Sequence, residues 1–228
     1  MKLSIIIPVL NEAVSLSAAL AALQALRHRG VEIIVIDGGS ADDTSALART
    51  HCDHASTSPR GRATQQNAGA QIATGDTLLF LHIDTKLPDN VDALVSAALT
   101  REHAAWGRFD VTLGSDGDRP HPMLKVIATL MNFRSRLTGI ATGDQCIFVR
   151  KSAFVAAGGF PQIPLMEDIA LCKALKRISS PACVRERVTT SARRWQKYGV
   201  WRTMVLMWWL RFADWMGVSP TRLATWYR

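Results

Sequence analysis

Cysteine is scarce in this 228-residue chain, and Cys52, Cys146, Cys172 and Cys183 form no CxxC pair. That spacing excludes a zinc knuckle or a dithiol redox motif and predicts reduced thiols lining a core. Long apolar runs are missing as well: no window reaches the roughly 18 uninterrupted apolar residues of a membrane span. The opening MKLSIIIPVLNE is too short and too soon broken, by Pro8 and then Asn11 and Glu12, to act as a signal peptide. The expected location is the cytoplasm. The turn after the first apolar run reads PVLNE, where a dinucleotide-binding fold would carry GxGxxG, and no GxxxxGK[ST] occurs anywhere. A Gly-rich loop with Arg and Lys, which a sugar nucleotidyltransferase would place there, is also missing. There is no internal repeat and no low-complexity segment.

What is present is 48% apolar residues, enough for one sizeable core. Leu3 to Val9 is a continuous apolar run that suits a strand covered on both faces. Leu16, Ala19, Leu20, Leu23 and Leu26 recur at helical spacing. Val31 to Ile36 predicts a second buried strand, closed by Asp37-Gly38-Gly39, and Ser40 with Asp43 predicts a capping box for the next helix. A helix over Gln65 to Ala73 and a strand over Thr77 to His82 follow. This alternation predicts an α/β fold with a mostly parallel sheet flanked by helices, and ligands in such sheets sit at the carboxyl ends of the strands. Farther on, a helix over Val91 to Leu99, a strand over Arg108 to Leu113 and a surface loop across Gly114 to Pro122 are expected. The stretch TGDQCIFVRKSAFVAAGGFP predicts a short strand, a helix and a turn, and PLMEDIALCKALKR a helix that opens with Glu167 and Asp168.

Several polar residues fall at expected strand or helix ends. Asp37 can reach a ligand that its glycines let approach the backbone, or it can simply form the turn. His82 and Asp84 stand two apart, so on an extended chain both point one way. They could ligate Mg²⁺ or Mn²⁺, or be a half-buried histidine and a capping aspartate. Asp168 and Glu167 could act on an acceptor hydroxyl, as base and as orienting group, or complement a helix N-terminus. Arg62 and the Arg193-Arg194 pair are suited to a diphosphate, or Arg62 is a solvated loop charge. Asp144 and Gln145 could reach the acceptor or a metal shell, or form a polar turn.

Taken in order, Pro8-x-x-Asn11-Glu12, VIDGGSADDT, Asn67-x-Gly69 before GDTLLFLHIDT, a GGF turn and Glu167-Asp168 resemble the family 2 glycosyltransferases over residues 1 to about 180. The resemblance implies a GT-A fold, a hexosyltransferase-type activity with inversion, a nucleotide-sugar donor and a Mn²⁺ or Mg²⁺ cofactor. It also implies donor-base contact for Asp37, the metal-binding end of a DxD motif for Asp84, and the catalytic base for Asp168. His82 stands where that motif has its first Asp. The string GRATQQNAGAQIATGDTLLFLHIDTKLP, with TGDQCIFVRKSAF and SARRW, resembles a narrower bacterial subgroup named for radical-SAM association and arsenosugar biosynthesis, in which His at this position is usual. The rival expectations are a nucleotidyltransferase and a catalytically inactive member that binds a membrane or a partner.

The last region differs in charge from the rest. From Arg187 to Arg228 there are eight Lys or Arg against one acid, Asp214, which is +7 of the net +8, together with six of the seven tryptophans. We expect residues 1–186 to form the catalytic domain and 187–228 a basic, Trp-rich helical extension packed on it. Trp201, Val205, Trp208, Trp209, Phe212, Trp215 and Met216 fall on one helical stripe. That stripe would pack on the sheet, pair with a second copy as a homodimer, or lie on a membrane surface near a lipid-linked acceptor. A small-molecule acceptor remains the alternative. A nucleic-acid partner is not expected, since no nucleic-acid module accompanies the basic tail.

Overall fold

Leu3–Val9 forms strand β1 in the interior of the sheet, with every position but Pro8 buried. Its three isoleucines alternate between two apolar layers: Ile5 and Ile7 pack with one and Ile6 with the other. Both faces are covered, which is why the run is apolar but for Ser4. The computed structural model describes residues 1–114 and 121–227. Along the chain follow helix α1 Ala13–His28, β2 Glu32–Asp37, α2 Thr44–His51, β3 His54–Thr57, α3 Arg62–Ile72, β4 Thr77–Phe80, β5 Thr85–Lys86, α4 Val91–Arg101 and β6 Trp106–Gly114. Then come α5 Pro122–Thr138, β7 Phe148–Arg150, α6 Lys151–Ala156, α7 Glu167–Leu175, β8 Ala182–Ser191, α8 Arg193–Tyr198, α9 Val200–Trp215 and α10 Pro220–Tyr227.

The sheet order is β3-β2-β1-β4-β7-β6-β8-β5. β1 pairs in parallel with β2 on one side and with β4 on the other. The chain therefore runs outward to β3 and returns across β1, and the strand order reverses beside β1, the place where open α/β sheets bind ligands. β7 runs antiparallel to β4 and β6, β8 parallel to β6, and β5 antiparallel to β8. α1 and α4 cover one face through Leu16, Leu20, Val95 and Leu99; α3, α6 and α7 cover the other with Phe80, Phe154, Phe160 and Leu171. α3 lies close on β1 because Gly69 has no Cβ, which would overlap the Ile6 side chain.

Four expectations change. β4 ends at Phe80, and His82 to Asp84 lie in a turn closed by Thr85 N–H donating to the His82 carbonyl at 3.0 Å, so the two side chains do not share a strand face. Ser40 makes no capping box: its hydroxyl donates to Asp37, and Asp43 occupies the N-cap of α2 without a side-chain cap bond. α3 begins three residues before the expected Gln65, at Arg62. Finally, β8 lies between β6 and β5 and runs through the expected border at 186/187, so the helical extension starts at Arg193. The loop expected across Gly114 to Pro122 falls mostly outside the described residues. Among those residues no helix is long and apolar enough to cross a membrane.

Candidate active site

The loops after β1 and β2 are sewn together by their own polar groups. Asn11 N–H donates to Ser40 Oγ at 2.8 Å, and Asn11 Oδ1 accepts from Ala41 N–H at 2.9 Å. Glu12 N–H donates to Thr44 Oγ1 at 2.8 Å, and Asp37 Oδ1 accepts from Ser40 N–H at 3.0 Å. Gln65, buried on α3, donates from Nε2 to the carbonyls of Val9 and Ile36 at 2.8 and 2.9 Å, tying the ends of β1 and β2. Asp37 is buried and lines a recess with Ser45, Arg49, Ser56 and Thr57. Pro8 is half-buried at the end of β1 and contributes backbone shape.

A second recess opens beyond β4, lined by Arg62, Gln66, His82, Gly143, Glu167 and Asp168. Arg62 Nη1 donates to Glu167 Oε1 at 3.3 Å, and Glu167 is buried. Burial raises the Glu167 pKa above the ordinary carboxylate range, the charge of Arg62 pulls it back, and Asp168 adds to the rise. Asp168 Oδ2 accepts from Gly143 N–H at 2.8 Å, fastening α7 to the short 3-10 turn Gly143–Gln145. Gly143 in turn lies against the His82 ring, where a Cβ would come within 2.5 Å of Nε2. His82 Nδ1 stands 3.4 Å from Asp144 Oδ1. Burial opposes ionisation of Asp144, but the hydrogen bond and charge of His82 and the charge of Arg62 outweigh it and hold its pKa low.

Two buried polar atoms in this recess, His82 Nε2 and Gln66 Oε1, have no hydrogen-bond partner among the described residues. A proton on Nδ1 toward Asp144 would leave the Nε2 lone pair for an ion, the arrangement in which a carboxylate orients a metal-binding imidazole. The donor chemistry therefore fits a divalent ion. No group of three or more His, Cys, Asp or Glu able to hold a metal occurs among the described residues, so bound phosphate and water would have to complete the shell. The charge of Asp84 reaches Glu12: burial, the largest cause, and Asp84 raise the Glu12 pKa, and Arg193 opposes them.

The remaining sequence candidates separate. Gln145 is fully buried and donates to Ser135 Oγ at 3.0 Å, so it holds the turn and presents nothing to a ligand. Arg194 stacks on the Tyr227 ring at 3.7 Å and donates to the Tyr227 carbonyl at 2.9 Å, closing α10 back on α8. The aromatic stripe of α9 does not pack on the sheet: Trp208 is 62% exposed and Trp215 77%, while α9 is anchored by Leu210 and Ala213 on its other side. Val126, Leu130, Phe133 and Leu137 form a second exposed apolar stripe on α5. Reading the sequence also missed Gln66, which sits inside the quoted GRATQQN string, and Asn67 as an anchor. The Asn67 amide donates to the Phe160 carbonyl at 2.8 Å and accepts from Phe160 N–H at 2.9 Å, pinning the Gly-Gly-Phe turn to α3.

A parallel sheet with a recess at its strand-order reversal, backed by a carboxylate-bearing helix, is the architecture of the GT-A nucleotide-sugar transferases. Solved structures with this fold include a mannosyltransferase from Pyrobaculum calidifontis in complex with GDP-Man and Mn²⁺, at 18% identity and TM-score 0.66 over 93% of this chain and 61% of that one. S. aureus TarS in complex with UDP matches at 18% identity and TM-score 0.65 over 84% of this chain and 60% of that one. The family model for glycosyl transferase family 2 matches residues 4–156, and the chain belongs to that family. A PGL/p-HBAD biosynthesis glycosyltransferase of Mycobacterium tuberculosis is 34% identical over 108 residues, 44% of this chain and 42% of that protein. The chain thus spans less than half the length of the curated relatives it matches.

Proposed function

We propose that the chain moves a hexosyl group from a nucleoside diphosphate to an acceptor hydroxyl, with inversion at the anomeric carbon. One observation carries the reading: the recess beyond β4 gathers the Asp168 carboxylate with two buried polar atoms, His82 Nε2 and Gln66 Oε1, that have no partner among the described residues. In this proposal Asp37, with Pro8, Asn11 and Glu12 shaping the loops around it, receives the nucleoside. Arg62 and Arg193 face the diphosphate, and Arg194 supports them through α10. Asp84 and His82 would hold Mn²⁺ or Mg²⁺, which when bound supplies Lewis-acid neutralisation of the leaving diphosphate. Asp144 orients His82. Asp168 takes the acceptor proton with one oxygen steadied by Gly143 N–H, and Glu167, braced by Arg62, orients the acceptor. His82 at the first position of the DxD motif also supports membership of the radical-SAM and arsenosugar-associated subgroup.

The division into a catalytic domain and a helical extension is part of the proposal, and the extension's exposed face supplies its surface role. The α9 stripe, with the α5 stripe, suits docking on an anionic bilayer, because the tail around it carries eight basic residues against one acid. Each basic residue near such a surface adds about 1 kcal/mol. The transfer reading is tested by incubating the protein with UDP- and GDP-sugars, with and without Mn²⁺, and measuring free nucleoside diphosphate. Release of pyrophosphate instead establishes nucleotidyl transfer. Co-sedimentation with anionic vesicles that falls with salt and with Trp208→Ala plus Trp209→Ala supports docking; a dimer in solution that those substitutions dissolve assigns the face to a second copy.

A further inference from the structure

Behind Asp168 lies a feature that the transfer reading leaves unused. α5 and α7 abut at their ends, where Lys176 Nζ donates to the Thr138 carbonyl at 2.5 Å. One turn back on each helix stand Arg134 and Cys172, and one turn before Cys172 stands Asp168, so these share a face. α9 crosses the same face. Lys173 pairs with Asp214 at 3.3 Å, and Leu210 and Ala213 pack with Leu165 and Met166 just before α7, which sets Arg211 over it. Arg134 Nε and Nη2 are buried and have no hydrogen-bond partner among the described residues.

The electrostatics agree with that geometry. Burial, and then the charge of Arg211, push the Arg134 pKa down to about 10, with Asp168 pulling the other way. Burial likewise depresses Arg211, against Asp168 and Asp214. Asp168, the carboxylate they share, is already committed to Gly143 N–H and to Ile169 N–H. Arg108, the third guanidinium felt by Arg134, has its own partner in Asp110. Two partly buried guanidiniums thus act on one another, and among the described residues the carboxylates near them, Asp168 and Asp214, are engaged with Gly143 and Ile169 N–H and with Lys173. Buried charges ordinarily find a partner of opposite sign.

We propose that Arg134 and Arg211 form an anion-binding subsite beside Asp168, and that the acceptor carries a phosphate or carboxylate that occupies it. The planar guanidinium of Arg134, with two unused N–H-bearing nitrogens, offers the fork that such an anion takes in two hydrogen bonds. The proposal rests on the transferase reading for the word acceptor but not for the anion site itself. The same chemistry is presented by a soluble phosphate monoester and by a lipid phosphate at a bilayer surface, on which the proposed docking of the α5 and α9 stripes would set the chain.

The test is thermal unfolding of the parent, Arg134→Met and Arg211→Met with the donor site filled by UDP or GDP and Mn²⁺, then titrated with inorganic phosphate, or mixed with phosphatidylcholine vesicles doped with phosphatidic acid. A ligand that binds only the folded state raises the Tm. In the parent we expect phosphate, the vesicles or both to raise the Tm further. Either substitution should abolish most of that rise while leaving the rise caused by nucleotide intact. A response to phosphate assigns a soluble anion, and a response to the vesicles alone assigns a lipid phosphate. Retention of the full rise in both variants, or no rise in the parent from either source, overturns the subsite. Loss of the nucleotide response in the parent instead removes the transferase reading and leaves the anion result standing by itself.

Discussion

The two ends of the crevice are built on opposite principles. Around β1 and β2 the polar side chains spend themselves on neighbouring backbone: Asn11, Asp42, Thr44 and Gln65 each bridge one loop or strand to another. In the recess beyond β4 and on the α5 side behind it the reverse holds, with His82, Gln66 and Arg134 all carrying buried atoms that lack partners among the described residues. Satisfied groups give a pocket its shape, and unsatisfied ones cost stability until a ligand arrives. The difference teaches where to look for each effect. Substitutions at the first end should weaken the fold and those at the second should weaken function.

The largest break in that comparison is expected at Asp168. Asp168→Asn keeps an oxygen to accept from Gly143 N–H, so the fold and the nucleotide-induced Tm shift should survive, while turnover falls by about 10²–10⁴-fold as for loss of a general base. Near-parental turnover would remove the assignment. Next come the groups proposed for the metal. Asp84→Asn should abolish Mn²⁺-dependent donor binding by calorimetry and His82→Ala weaken it less. Asp144→Asn, which frees the imidazole it orients, should cost about 10–100-fold. A donor affinity in Asp84→Asn equal to the parent's contradicts the metal site.

The shape-giving side should answer in stability. Asn67→Ala leaves both polar groups of Phe160 without the amide that pairs them and should cost about 2 kcal/mol in urea unfolding. An unchanged midpoint would show that the Gly-Gly-Phe turn holds itself. Glu32 supplies a smaller, pH-dependent effect. Burial alone would raise its pKa, but hydrogen bonds from Ser4 and Thr74, with help from Lys2, outweigh it and hold the value low. A depressed folded pKa gives stability that is present above the unfolded value and lost as pH falls through the folded one. Glu32→Gln should therefore flatten the acid limb of the stability curve below pH 4.5 and change little near neutrality. The smallest effect is expected at Arg134: without ligand, Arg134→Met should leave the Tm unchanged or raise it, because it removes an unpaired buried charge. A clear loss of Tm would move Arg134 to the shape-giving group.

Much of the parallel half of the fold was legible. The helices over α1, α4 and α7 and the strands β1, β2 and β6 lie where apolar spacing placed them, within a few residues. β8 was not legible, because ACVRERVTTS carries two arginines and a glutamate on exposed positions and bends at a register shift opposite Phe109 and Asp110. β3 was missed for a related reason: HAST is short and exposed along an edge. At the site, the sequence singled out Asp37, His82, Asp84, Asp144, Glu167 and Asp168, but not the approach of Asp144 to His82. An extended chain would put His82 and Asp84 on one strand face, whereas the chain turns at Thr85, and Asp144, from a segment some sixty residues away, stands beside His82.

By itself the sequence determined which segments must be covered on both faces, since a run such as Leu3–Val9 has no polar side to offer water. It determined as well that the crevice lies where the polar residues cluster after those runs, and that the positive charge gathers in the tail. Only the tertiary structure decided which of those residues stay free. Gln145 was drawn into the core and Arg194 onto Tyr227, Arg134 was left with two nitrogens unpaired among the described residues, and the aromatic stripe of α9 was turned outward. The reason is physical: helical spacing says that residues share a face but not what that face meets, and a partner for a buried charge is supplied or withheld by elements far along the chain.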